Sequence, residues 1–140
     1  MTATTFSARS ASRYLGDSLS TASPAALLVM LYDRLVLDLQ RAEDAQRAGD
    51  RQTAHTNLVH AQAIVAELQT SLDVEAWDGG PGLLALYTWL IQELAVANIS
   101  GDADKTAACR TVTVEPLAEA WRTAALEHLS SGTGTQPGVA

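Results

Sequence analysis

Apolar residues recur along this chain at alternating steps of three and four, the spacing that stacks side chains on one face of an α-helix. Ala54, Leu58, Ala61, Val65, Leu68 and Leu72 hold the alternation without a gap and read as the seam of a helical bundle. Leu28, Leu31, Leu35, Leu39 and Ala42 form a stripe before it. Leu83, Tyr87, Leu90, Leu94 and Ala97 form a third stripe, and Val114, Leu117, Trp121 and Ala125 a fourth. Start and stop signals fall between the stripes. Ser23 is an N-cap followed by Pro24 at the first helical position, although Ala26 stands where a capping box places Glu or Gln. Gly49 stops the first helix and Asp50 caps the second. The sequence WDGGPG at 77–82 is the strongest break, with Pro81 opening the third helix. Asn98 to Gly101 ends that helix, and Asp102 caps the fourth.

Short connections make successive helices antiparallel neighbours, so the pattern predicts an all-α, antiparallel up-and-down four-helix bundle over residues 23–129. Pro116 conflicts with it. A proline inside a helix removes a backbone hydrogen bond and clashes with the preceding turn, at a cost of ~3 kcal/mol, which predicts a kink or break near Val112 to Glu115. Residues 1–22 are rich in Ser, Thr and Ala, with Phe6, Tyr14, Leu15 and Leu19 as isolated apolar anchors. That segment is too polar to join the core as a fifth helix and too well anchored for a pure tail. It reads as a flexible N-terminal lid. Residues 130–140 (SSGTGTQPGVA) have almost nothing to bury and read as a disordered tail.

A chain of 140 residues is long enough for one domain with a core that needs neither disulfide nor metal. Hydrophobic residues reach 47% but aromatics only 5%, so the core must be aliphatic, which suits helices. The net charge of −7 makes the chain a poor ligand for nucleic acid or an anionic membrane, since both need clustered cations. Arg9 and Arg13 are not followed by the apolar region of an export signal, and no apolar run reaches the ~18 residues of a membrane span. The expectation is a soluble, cytoplasmic protein without membrane insertion. Cys109 is the single cysteine, which excludes an internal disulfide and suits a small apolar filler.

Candidate chemistry is sparse. A di-metal centre in a bundle needs Glu-x-x-His, which is absent, and His55 and His60 sit about 140° apart around their helix. Both read as solvated, while His128 suits a helix C-terminus. No nucleophile elbow or phosphate cradle is present. The reading is a non-enzyme without metal or cofactor. The first stripe closes on Tyr32, Asp33 and Arg34. Tyr32 lies one position off the seam and is expected to be half-buried with its hydroxyl at an edge, beside two solvated charges.

At these residues the chain resembles the flagellin-specific export chaperones of bacterial flagella. Members carry an N-terminal Tyr, a TASP-like cap and an apolar run into MLYDG, here Tyr14, Thr21 to Pro24, and Met30 to Asp33, with Arg34 in place of Gly. Asn57, Leu58, Ala61, Ile64, Val65 and Leu68, then Ser71 to Asp73, match the family's second helix. LLALYTWL at 83–90 with Ala97 and Asn98 matches the third, and Ala120 with Trp121 the end of the fourth. The departures are Trp89 at a usual Tyr, the Gly-Pro-Gly turn at 80–82, and Pro116 in a helix that members usually keep continuous.

The resemblance implies a chaperone that binds the disordered C-terminal segment of flagellin, blocks premature polymerisation and delivers its cargo to the flagellar export gate. It leaves room for a regulatory protein that competes for the same surface. It further implies that the Tyr-bearing N-terminal segment lies against the bundle and is displaced by flagellin. The residues expected to meet the partner are Tyr14, Leu15, Leu19, Leu27, Met30, Tyr32, Ile64, Leu84, Leu86 and Ile91, although ordinary core packing explains the apolar ones equally well. A self-associating bundle whose surplus apolar stripes meet in a homodimer is the rival reading.

Overall fold

The computed structural model describes residues 24–135, and the Ser23 cap and the segment 1–22 lie outside them. The helices are α1 (Pro24–Arg47), α2 (Arg51–Ser71), α3 (Gly80–Ser100), α4 (Ala103–Ala108) and α5 (Glu115–Thr135). A π-helical segment, Cys109–Val114, joins α4 to α5, so these three pieces form the fourth helix of the bundle. That helix is described through Thr135, past the boundary expected near Leu129, and residues 136–140 lie outside the described part.

Two of the turns are built alike. Gly49 and Gly101 both take left-handed backbone angles, φ 77° and 66°, which a side chain would oppose. Each is followed by an aspartate whose carboxylate accepts a backbone N–H three residues on: Asp50 from Thr53 at 3.1 Å and Asp102 from Lys105 at 3.0 Å. The 72–79 connection differs. Trp77 does more than punctuate, since its ring is buried in the core cluster. The backbone at Gly80 passes so close to Val74 that a Cβ there would lie 2.0 Å from the Val74 carbonyl oxygen.

Every seam residue of the second stripe from Ala54 to Leu68 is buried, as are Leu83, Tyr87, Leu90, Leu94 and Ala97 of the third. Leu35, Leu39 and Ala42 join them, while Leu28 and Leu31 are only partly covered. Each fully buried leucine contributes about 1.5–3 kcal/mol through removal from water. α1 packs against α2 and against the whole fourth helix; α3 packs against α2, α4 and the π segment, and makes no close approach to α5.

Pro116 does not break the helix. The Glu115 N–H reaches back five residues to the Arg110 carbonyl, the π register, and Pro116 follows as the second residue of α5. Widening the turn ahead of the proline relieves the clash that a strict α-helix imposes. The irregularity expected near Val112 to Glu115 thus takes the form of a π turn.

Tyr32 departs from expectation. It is 1% exposed, with its hydroxyl 2.6 Å from that of Tyr87 on α3 and its ring tilted 35° to Trp121 on α5, centroids 6.4 Å apart. The half-buried boundary position is corrected to a core position that ties three helices together.

Candidate partner-binding surface

Three ion pairs set the register of the fourth helix on α1. Arg47 Nη2 donates to Asp104 at 3.1 Å, Arg110 Nη2 to Glu43 at 2.6 Å, and Arg122 to Asp33. Residue numbers rise on one helix as they fall on the other, so the two run antiparallel. The start of α1 therefore lies at the same end as the last turns of α5. That end carries Leu27, Met30, Leu126 and Leu129, each between 57% and 65% exposed. Four large apolar side chains left in water at one end form a surface that a partner can cover.

A second apolar surface lies on α3. Its outward positions Ala85, Trp89, Gln92, Val96 and Ile99 follow the steps four, three, four and three, and none is charged. The inward positions are equally apolar. By length and composition α3 alone among the described helices passes for a membrane span, yet its inner side packs in the bundle core. Because α5 does not approach α3, the side of the bundle between them is open along the Ala85 and Trp89 part of the α3 stripe, whereas Val96 and Ile99 lie abreast of α4, where Glu93 pairs with Lys105.

The expected partner residues are distributed unevenly over this surface. Leu27 and Met30 are exposed; Leu84 and Ile91 are partly covered; Tyr32, Ile64 and Leu86 belong to the buried core cluster. Tyr14, Leu15 and Leu19 lie outside the described residues. Leu126, Leu129, Val96 and Ile99 were not anticipated as surface features. Leu126 and Leu129 fall off the fourth stripe, and that offset was the signal available.

Of the Tyr32-Asp33-Arg34 triplet, all three have partners. Burial pushes the Tyr32 phenol well above its ordinary range, with the Tyr87 and Trp121 hydrogen bonds acting the other way. Arg34 Nε donates to Asp38 Oδ1 at 2.9 Å, and His60 Nδ1 meets Oδ2 of the same carboxylate. Asp38 is 0% exposed, so the two basic partners are what make a charge at that position tolerable. His60 is therefore not simply solvated, and His55 is paired with Asn98 at 2.9 Å. Cys109 is buried in the core, and burial pushes its thiol up to about 11, far from a reactive thiolate.

The family model of the flagellar protein FliS matches residues 7–128, which is most of the chain and reaches into all four helices of the bundle. This chain belongs to the FliS family. The resemblance read from the helix motifs is thereby confirmed. Within the family, the chain is 29% identical over 111 residues to the flagellar secretion chaperone FliS of Bacillus subtilis (strain 168), covering 79% of this chain and 82% of that protein. The FliS match includes Tyr14, Leu15 and Leu19, the α3 stripe and Leu126, and ends one residue before Leu129.

Proposed function

We propose that this FliS-family chain, a flagellar export chaperone, acts in the cytoplasm by binding the disordered C-terminal segment of flagellin. Binding keeps that segment from polymerising early and presents it to the export gate. Such a task is non-enzymatic and uses no cofactor. The observation that supports the reading is the pair of apolar surfaces, on α3 and on the α1–α5 end, flanking the side where α3 and α5 stay apart. A partner that folds into amphipathic helices as it binds has apolar faces of the right kind for both. The N-terminal segment, with Tyr14, Leu15 and Leu19, acts as a lid that occupies part of this surface until flagellin displaces it.

Calorimetry with the cognate flagellin C-terminal peptide tests the reading. Binding with a negative heat-capacity change is expected, because apolar area is buried. Absence of heat at high micromolar protein would overturn it. Deleting residues 1–18 is expected to tighten binding, roughly tenfold for a closed-lid preference of about 1.4 kcal/mol. Weaker binding on deletion would make Tyr14 a flagellin contact and end the lid reading. The uncharged α3 stripe also suits a homodimer, which sedimentation at rising concentration would reveal and added peptide would leave intact.

A further inference from the structure

Midway along α1, Arg34, Asp38 and Arg41 follow one another at steps of four and three and so share the side of the helix turned to α2. Glu43 and Arg47, which pair with the fourth helix, lie on the other side. The Asp38 carboxylate is fully buried, and across the margin between the two helices it meets His60 Nδ1. A carboxylate can only accept, so the His60 proton sits on Nδ1 and the ring's lone pair on Nε2. Half of the side chain, 51%, is in water; the Nδ1 edge is the covered one, which leaves Nε2 facing solvent. His55 is its opposite. The Asn98 amide nitrogen can only donate to His55 Nδ1, at 2.9 Å, which puts that proton on Nε2.

Arg34, bonded to Asp38 at 2.9 Å, already balances the carboxylate's charge. What His60 gains from Asp38 is a fixed ring and a more basic Nε2. Arg34 makes its contact through Nε, so its terminal nitrogens are open to an anion. Arg41 is exposed and makes no hydrogen bond or ion pair with another described residue. The two guanidiniums stand one turn of α1 to either side of Asp38, about 5–6 Å along the axis, and flank the outward edge of the ring. The acidic residues further along the same helices are engaged: Asp44 accepts from Gln40 at 3.1 Å and Glu67 from Ser71 at 3.4 Å.

We propose that His60 is a phosphorylation site whose Nε2 takes a phosphoryl group from an acyl phosphate. The Nε2 lone pair attacks phosphorus, the N–P bond forms as the P–O bond to the acyl group breaks, and the electron pair leaves on the departing carboxylate. The ring becomes cationic while its Nδ1 proton stays against Asp38, whose negative charge stabilises it. Arg34 and Arg41 supply donors to the phosphoryl oxygens. None of these residues belongs to the two apolar surfaces, and the proposal does not rest on flagellin binding.

The test is incubation of the untagged full chain with acetyl phosphate, followed by intact-mass measurement and peptide mapping at alkaline pH, where a phosphorus–nitrogen bond survives. His55 and His128 serve as internal comparisons. His60 is expected to be labelled at least roughly tenfold faster than either, and the label to be lost in mild acid. Asp38→Asn should lower His60 labelling roughly ten- to a hundredfold. Arg41→Gln, at an exposed position, should lower it by a smaller factor, with circular dichroism showing an intact bundle. Should Asp38→Asn fail to fold, the contrast with His55 and the Arg41→Gln result decide the matter. Equal labelling of the three histidines, an acid-stable label, labelling unchanged in Arg41→Gln or in folded Asp38→Asn, or no label at high millimolar acetyl phosphate would each overturn the proposal.

Discussion

Along α1 the fourth helix is fastened from end to end, by Asp104, Glu43 and Asp33 pairing with Arg47, Arg110 and Arg122, and by Trp121 against Tyr32. Along α3 the same helix is met only by α4 and the π segment; below them the two helices stay apart. The fastened edge spends its apolar side chains inside the bundle and closes its margin with charge pairs. The open edge keeps Trp89, Leu126 and Leu129 at the surface. A bundle with one unsealed edge can offer an apolar surface without losing its core, because the core is secured from the other side.

The contrast breaks most severely at Trp121. Replacing it with Ala should remove about 3–5 kcal/mol of stability, read from urea denaturation, because the fastened edge loses its largest buried side chain. Tyr32→Phe removes one hydroxyl and leaves that of Tyr87 without its 2.6 Å partner, so a smaller loss, about 1–3 kcal/mol, is expected in the same assay.

The charged margin should respond to acid. Arg110, then Arg47, hold the Glu43 carboxyl below its ordinary value of 4.5, against a smaller opposing effect of burial. A carboxyl depressed on folding contributes stability that is full above that ordinary value and fades as pH falls below it, through the folded-state value. Glu43→Gln should therefore flatten the acid limb of stability against pH while leaving the neutral region less stable than the parent. An unchanged acid limb would assign the response to other carboxylates.

The smallest effect on stability belongs to the open edge. Leu126→Ser with Leu129→Ser should shift the denaturation free energy by no more than about 0.5 kcal/mol per site, since both side chains are already in water. The same double variant should weaken flagellin-peptide binding by at least roughly tenfold. A large loss of stability would mean that the open edge is sealed in solution.

The four seams were legible because periodicity is local information, and burial followed it at nearly every position of the second and third stripes. What escaped was set by residues distant in sequence. The depth of Tyr32 depends on Tyr87 and Trp121, and the burial of Asp38 depends on His60 of the next helix. The Arg34–Asp38 half of that arrangement was readable as a pair four residues apart. Trp77 hid among turn residues that rightly signalled a break. The candidate surface was legible only in part, since an apolar stripe shows which residues share a face but not how many neighbours cover it. Leu27 and Leu86 look alike in sequence; one is in water and the other in the core.

The π segment acts as a counting device. The buried positions of the fourth helix run Thr106, Cys109, Val114, Leu117 with Ala118 beside it, Trp121 and Ala124, so that successive turns step by three or four except for the five between Cys109 and Val114. That long step is the footprint of one additional residue, absorbed by the wide turn rather than by a loop. Without it, everything downstream would rotate by about 100° and carry Trp121 away from Tyr32. Lineages of this chain are thus expected to tolerate substitution at the exposed Thr111 and Val112 far better than a change in the length of this segment, and a homologue lacking one residue there should carry its tryptophan shifted by one place.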